Sequence, residues 1–245
     1  MKMSERVSTT HRLHDRLGQV IAASKPGERL PSEPDLAQQL GVSRATLREA
    51  MRTFETQGLI RRRQGVGTFV LRPAHVLEGG LEVLESIETV AHRMGLTVSL
   101  GALKVDRRRP SPQEAEALCL ELECWVISLS RVIQAEDRPV AVLIDCLPED
   151  ILTQEEILDH FNGSVLDLLL QRGSPPLANS LCEIAAEDAR PEIARALNIQ
   201  RGDALLRFTS RLFSVDGHVV DYSYSYFLPG YFRFHVVREL ASVRT

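Results

Sequence analysis

Long apolar runs are missing from this chain. No stretch approaches the roughly eighteen apolar residues of a membrane-spanning helix. The opening residues, MKMSERVSTTHR, have no apolar signal core. Cysteine is scarce and unpatterned: Cys119, Cys124, Cys146 and Cys182 form no Cys-x-x-Cys pair, and no two histidines have zinc-ligand spacing. These absences point away from a membrane protein, a disulfide framework and a metal site. The expectation is a soluble, cytoplasmic protein with buried free thiols and no cofactor. Catalytic patterns are also lacking. There is no Ser/His/Asp order, no nucleophile elbow and no paired carboxylates, and His160, His218 and His235 are scattered. No catalytic residue is expected.

Net positive charge is lacking too, at a formal -4 over 245 residues. The distribution is uneven. Residues 1–72 hold 13 Lys and Arg against 7 Asp and Glu, a balance of +6, and the remainder carries -10. A basic head on an acidic body is the electrostatic footprint of a chain that meets a polyanion through one end. The length suits two domains.

Residues 29–70 carry the clearest pattern. Ser32 caps a short helix, with Asp35 three residues on and Pro34 in the first turn. Leu36, Ala37 and Leu40 form its apolar face, Gly41 stops it and Val42 turns inward. Ser43 caps a second helix whose buried face is Leu47, Ala50, Met51 and Phe54, ended by Gly58. Arg44, Ala45, Thr46 and Arg48 fall at its tip, largely off that face. A helix N-terminus attracts phosphate, and Arg can grip a guanine edge with two hydrogen bonds. A hairpin follows, Leu59–Arg62 and Thr68–Leu71, with Gln64-Gly65-Val66-Gly67 as its tip and Arg61, Arg62 and Arg63 around it. A preceding helix with Leu13, Leu17, Val20 and Ile21 on one face closes the core; Ser8-Thr9-Thr10 offers its cap, and Pro26-Gly27 breaks the chain after it. The pattern is a winged helix-turn-helix.

Leu30 to Glu33, Val42 to Arg44, Thr46 to Ala50 and Gly65 to Val70 resemble the signature of the N-terminal domain of the GntR family of bacterial repressors. The resemblance implies that Arg44, Thr46 and Arg48 contact double-stranded operator DNA and that the wing, Gly65 to Gly67, enters the minor groove. Ser32, Ser43, Arg62 and Gln64 complete the candidate DNA-binding set. The family usually has Arg where this chain has Pro34, so one phosphate or base contact is expected to be lost.

Residues 73–80 read as a linker, because Pro73 and Gly79-Gly80 interrupt the pattern. A helix is expected from about Leu81 to Met94, stopped by Gly95, with Leu84, Ile87, Ala91 and Met94 on one side. The rest, within a second domain spanning 81–245, is a weak duplication. Pro112–Leu118 resembles Pro191–Leu197 at an offset of 79, Leu120 matches Ile199 and Ile127 matches Leu206. With one inserted residue, Arg131-Val132-Ile133 matches Arg211-Leu212-Phe213, and Arg138-Pro139-Val140 matches His218-Val219-Val220. Each copy reads as a short helix, a strand, a turn and a second strand. Asp216-Gly217 is a hairpin turn signal, and Glu136-Asp137 holds its place in the first copy. One antiparallel sheet with helices on a face is expected.

This half resembles the UTRA effector domain of the HutC-like branch of GntR regulators. The likeness rests on Ser130-Arg131-Val132, Arg138–Ala141, Gly202–Leu206, Asp216-Gly217, Val220–Ser223 and Ser225-Tyr226. It implies an α+β, chorismate-lyase-like fold, a pocket for a small-molecule effector, and a homodimer formed through this domain. By motif position the candidate ligand-binding residues are Ser99, Arg131, Ser164, Asp221 and Tyr226. Arg131 and Ser164 would hold an anionic group and Asp221 and Tyr226 would read hydroxyls or an amine. Two plainer roles stand beside these: Arg131 pairing with a carboxylate, and Ser164 capping a helix from Val165. Ile133, Leu143 and Leu228 stand where relatives carry Arg, Glu and Arg, and Pro229-Gly230 replaces a polar turn. An effector less charged than a sugar phosphate is therefore expected.

Two rival functions fit the sequence less well. A lyase-like enzyme would need catalytic groups that do not stand out, and fold alone does not carry function. An effector-independent architectural DNA binder would need neither pocket nor acidic body.

Overall fold

The structure is a computed structural model that describes residues 2–25, 27–56, 59–63, 65–71, 77–93 and 97–236. The chain divides into two compact units at residue 77, with Pro229–Tyr231 grouped with the first.

The first unit holds α1 (Lys2–Ala23), α2 (Glu33–Leu40), α3 (Arg44–Thr56) and a hairpin of β1 (Ile60–Arg63) and β2 (Gly67–Val70). Leu13, Leu17, Ile21, Leu36, Leu40, Leu47, Met51, Phe54, Ile60 and Val70 bury themselves in one core. That core is the apolar face expected of each helix. Ser32 Oγ accepts the Asp35 N–H and donates to its carboxylate at 2.5 Å, and Gly41 closes α2 in the left-handed region at φ +69°. Leu47 sits at the centre of the core with no exposed surface. One expectation fails: α1 begins at Lys2, so Ser8-Thr9-Thr10 lies within the helix and does not cap it. Nothing upstream interrupts it, because no Gly or Pro occurs before Gly18. The hairpin is shifted by one residue from its expected position, with Arg63 paired to Gly67. Gly58 and Pro26 lie outside the described residues.

The second unit opens with β3 (Leu77–Gly80) and α4 (Ile87–Arg93). Both correct the sequence reading. Part of the expected linker is a strand, paired in parallel with β10 (Phe232–His235) near the far end of the chain. Such a long-range partner leaves no local signal. The expected helix from Leu81 starts only at Ile87. Leu81, Val83 and Leu84 are exposed, and Ser86 caps α4 by accepting the Thr89 N–H at 2.9 Å. Met94 and Gly95 lie outside the described residues.

There follow β4 (Val98–Arg108), α5 (Pro112–Leu118), β5 (Val126–Ala135), β6 (Arg138–Pro148), α6 (Gln154–His160) and α7 (Val165–Arg172). Then come β7 (Leu177–Asp188), α8 (Pro191–Leu197), β8 (Ala204–Ser214) and β9 (Val219–Phe227). Six strands form one antiparallel sheet in the order β4-β5-β6-β9-β8-β7. The duplication is complete and larger than its sequence trace. Each copy is strand, helix, strand, strand, and β7 begins 79 residues after β4. The last strands of the two copies, β6 and β9, pair at the centre.

The inserted residue sits elsewhere than expected. Leu103 pairs with Arg131 just as Cys182 pairs with Ser210, so the offset of 79 persists through this rung. Arg131 therefore corresponds to Ser210, not Arg211. The extra length is taken up in the turns: Glu136-Asp137, both at positive φ, make a two-residue turn, whereas Val215–His218 make a longer one with Gly217 at φ +82°.

Alternation along the strands separates two faces. On one, α5 packs Leu118 against Val126, Cys146 and Tyr222, and α8 lies against β6. On the other, α6 and α7 bury Ile157, Val165, Leu168 and Leu169 against Ile127, Leu129, Leu147 and Leu212. The second face also carries a cavity.

Candidate functional site

At the tip of α3, Ser43 Oγ accepts the Thr46 N–H at 3.1 Å and contacts the Thr46 hydroxyl at 2.8 Å. Arg44, Thr46 and Arg48 are exposed there. Arg48 donates its Nε to Glu33 of α2 at 2.6 Å while its side chain stays 55% exposed. That contact uses the inner edge of the guanidinium and leaves the outer fork for an acceptor pair such as a guanine edge. Ser32 and Ser43 are both engaged as helix caps, and Pro34 is exposed in the first turn of α2.

On the wing, Gly65 is at φ +73° and Gly67 at φ +137°. A Cβ on Gly67 would meet Arg29 Nε at 2.5 Å, so the Arg29 side chain lies across the hairpin where only glycine leaves room. Arg29 was missed by the sequence reading, though it opens the Leu30–Glu33 signature. Arg62 is engaged within the unit. Its backbone N–H and its Nε donate to the Glu55 carboxylate at 3.1 and 2.8 Å, tying the wing to α3. Arg61 and Arg63, on the other side of the strand, are exposed, and Arg63 lies over the Phe69 ring at 5.6 Å. Gln64 lies outside the described residues.

In the second unit, a cavity of about 730 Å³ lies on the sheet face, closed by the segment from Gly80 to Val90. The strand register builds its floor. Asp145, Ser223 and Ser210 share one rung. Arg131, Leu143, Ser225 and Phe208 share the next. Asp221, opposite Leu212, extends the polar strip, and Phe227 and Phe232 close the apolar end.

Arg131, only 4% exposed, donates from Nη1 to Asp145 in a short ion pair. Its Nε lies 4.0 Å from Glu88 on α4. Burial pushes the Glu88 carboxyl above its ordinary range, with Arg131 opposing the rise. Burial, with the nearby Asp145 charge, pushes Asp221 far above the usual carboxylate range. Neither Glu88 oxygen, nor Asp221 Oδ1, nor Arg131 Nε has a hydrogen-bond partner.

Of the five expected ligand residues, Arg131, Ser164 and Asp221 line this cavity. Arg131 pairs with a carboxylate and Ser164 caps α7 by accepting the Asp167 N–H at 3.1 Å, so both plainer roles are present as well. Ser99 and Tyr226 lie away from this cavity. Ser99 is exposed on edge strand β4 opposite Gln134. Tyr226 is buried on the opposite face, beside the charges of Glu187, Arg190 and Arg207. Asp221 and Tyr226 are an odd number of residues apart, so a regular strand cannot aim both at one cavity. That parity was readable beforehand, and it would have selected Ser223 and Ser225. Glu88 and Asp145 were missed without such a signal. Of the three apolar replacements, only Leu143 faces the cavity; Ile133 and Leu228 are buried but not part of its lining.

A winged helix-turn-helix with an exposed basic tip, in one chain with an α+β unit holding a polar cavity, defines a ligand-responsive DNA-binding regulator. The comparisons agree. Residues 9–70 match the bacterial regulatory proteins of the gntR family and residues 93–233 match the UTRA domain. The HTH-type transcriptional repressor NagR of Bacillus subtilis is 29% identical over 205 residues, 82% of each chain. The HTH-type transcriptional regulator Rv0792c of Mycobacterium tuberculosis is 30% identical over 225 residues, 89% of this chain and 81% of the relative. The crystal structure of PhnF from Mycobacterium smegmatis superposes with a TM-score of 0.61 at 20% identity, covering 94% of this chain and 100% of that one. The chain belongs to the GntR family of transcriptional regulators, in the branch that carries a UTRA effector domain. It is a DNA-binding regulator and not an enzyme. No helix among the described residues is long and apolar enough to cross a membrane.

Proposed function

We propose that this protein is a cytoplasmic repressor that binds a two-fold-related operator as a homodimer and is released by a small molecule held in the cavity of the second unit. Residues 1–72 serve as the DNA-binding head, 73–76 join the units, and the unit that begins at Leu77 binds effector and partner. Arg44, Thr46 and Arg48 enter the major groove, and the wing from Gly65 to Gly67 meets the adjacent minor groove. The observation that carries the reading is the cavity. A sheet face strung with Asp145, Asp221, Ser210, Ser223 and Ser225 has been left open where an apolar core would have been easier to fill. A DNA binder without an effector has no use for such a face. Exposed Leu100 and Leu103 on β4, and Leu181 and Ile184 on β7, support a second copy at a sheet edge.

The test is a fluorescence-anisotropy titration of the full chain on DNA flanking its own gene, with and without metabolites that raise its melting temperature. Any ligand that binds only the folded state stabilises it by mass action. The expected result is a compound that raises Tm and weakens DNA binding together, since a ligand shifts an equilibrium only through differential affinity for its two states. Compounds that raise Tm yet leave DNA affinity unchanged would refute the proposal.

A further inference from the structure

The charge of the cavity carries a statement about its ligand. Among the described lining residues, Glu82, Glu85, Glu88, Asp145 and Asp221 are acidic and Arg131 alone is basic. Arg131 is already committed to Asp145. Glu88, 4.0 Å from the same guanidinium, and Asp221 therefore share with Asp145 a single positive charge among three carboxyls. Asp221 is 6% exposed, and its Oδ1 is an acceptor with nothing donating to it. Buried carboxyl groups in this state are strongly disfavoured as ions unless a cation or donor arrives. An anion would have to displace Asp145 from Arg131 and then sit against two further carboxyls. A bare metal ion is also a poor match, because no group of three or more His, Cys, Asp or Glu side chains among the described residues is arranged as a ligand set.

The opposite end of the cavity is aromatic. The rings of Phe208 and Phe227 meet at 5.1 Å, and those of Phe227 and Phe232 at 4.8 Å. Ser210, Ser223 and Ser225 lie between the two ends on adjoining rungs. One molecule spanning the space meets acid, hydroxyl and aryl surface in that order.

We infer that the effector is an organic cation, an amine or guanidine received by Glu88 and Asp221, whose apolar portion rests on Phe208, Phe227 and Phe232. This rests on the reading of the second unit as a sensor. It departs from the anion-holding role that motif position suggests for Arg131 and Ser164. The groups facing Glu88 are Arg131 of β5, Asp145 of β6 and Asp167 of α7, and those facing Asp221 are Asp145 and Arg131. Arrival of the cation favours the ionised form of each carboxyl, and any proton displaced passes to the buffer.

The experiment is calorimetric titration of the full-length protein at neutral pH with phenethylamine, tyramine and agmatine. Matched controls are 2-phenylethanol, which is neutral, and phenylacetate, which is anionic. At least one amine should bind while both controls fail. The apparent enthalpy should change between buffers of different ionisation enthalpy, reporting proton release. Asp221→Asn and Glu88→Gln, each checked for folding by circular dichroism, should weaken that amine at least about tenfold, the loss expected for a hydrogen bond to a charged group. Binding of phenylacetate or the alcohol as tightly as the amines, silence from all three amines, or unchanged affinity in both variants would overturn the inference. The sensor reading fails separately: an amine that binds but leaves DNA affinity untouched refutes regulation and keeps the charge assignment. An anionic metabolite that binds the cavity and releases DNA does the reverse.

Discussion

Arg48 shows how one side chain is divided between fold and function, with its Nε on Glu33 and its outer fork exposed. Arg48→Ala should cost about 1–3 kcal/mol of operator binding and relax preference at one base position. Glu33→Gln should have a smaller effect in the same direction, because it only orients the fork. Anisotropy against a set of single-base operator variants checks both; a loss uniform over all variants would make Arg48 a phosphate contact. Glu114 offers a stability test. Burial alone would raise its pKa, but hydrogen bonds from Arg108 and Ser111 outweigh burial and lower it from 4.5 to about 2. A lowered carboxyl stabilises the fold above its unfolded value and loses that contribution as pH falls from 4.5 toward 2. Screening at the partly exposed Arg108 reduces the contribution to on the order of 2 kcal/mol. In Arg108→Met, melting temperature against pH should lose much of this acid-side slope. Legibility at this scale was mixed. Arg131, Ser164 and Asp221, chosen by motif position, line the cavity, whereas Ser99 and Tyr226 were chosen the same way and lie away from it. Motif position names a neighbourhood; strand parity decides the face.

The wing is held as an element by Arg62, whose guanidinium grips Glu55 on α3. Arg61 and Arg63 on the outer side of β1 are left for phosphate. Arg61→Ala should therefore lower the slope of log affinity against log salt by about 1, while Arg62→Ala should lower Tm and leave the slope closer to wild type. A full unit of slope lost in Arg62→Ala would show instead that its guanidinium leaves Glu55 for DNA. Gly67→Ala should lower Tm by itself, since its backbone lies at φ +137° and a Cβ would strike Arg29. The helix-turn-helix was legible because caps, apolar spacing and turn residues are local signals that agree. In the second unit the repeated helices were legible through Pro112–Leu118 and Pro191–Leu197. Their leading strands β4 and β7 were not, because both are exposed edge strands without a regular apolar alternation. The strand β3 was hidden because its partner β10 lies more than half the chain away.

At the scale of the whole molecule, carboxyl groups shifted in opposite directions make stability depend on pH with opposite signs. Glu88 and Asp221 have raised folded values, so their contribution is complete below the ordinary carboxylate range and fades as pH rises through those values. This is opposite in sign to Glu114. Asp221→Asn should hold Tm flatter as pH rises above the ordinary carboxylate range, measured by calorimetry of the unliganded protein; a wild-type slope in the variant would show that Asp221 does not contribute to it. The basic head and acidic body were plain from the sequence, but which of those acids line the cavity required the fold. The duplicated sheet has a last consequence. Its backbone is nearly the same when turned about the β6–β9 pair, yet the side chains are not. The position of Arg131 in one copy holds Ser210 in the other. By the same pseudo-symmetry Asp145 answers to Ser225, while its own partner across the central β6–β9 pairing is Ser223. A scaffold that could have accepted a molecule end for end has thus been given a polarity. An asymmetric guest is therefore expected to enter in one sense, and a compound bearing the same group at both ends should gain no affinity from the second.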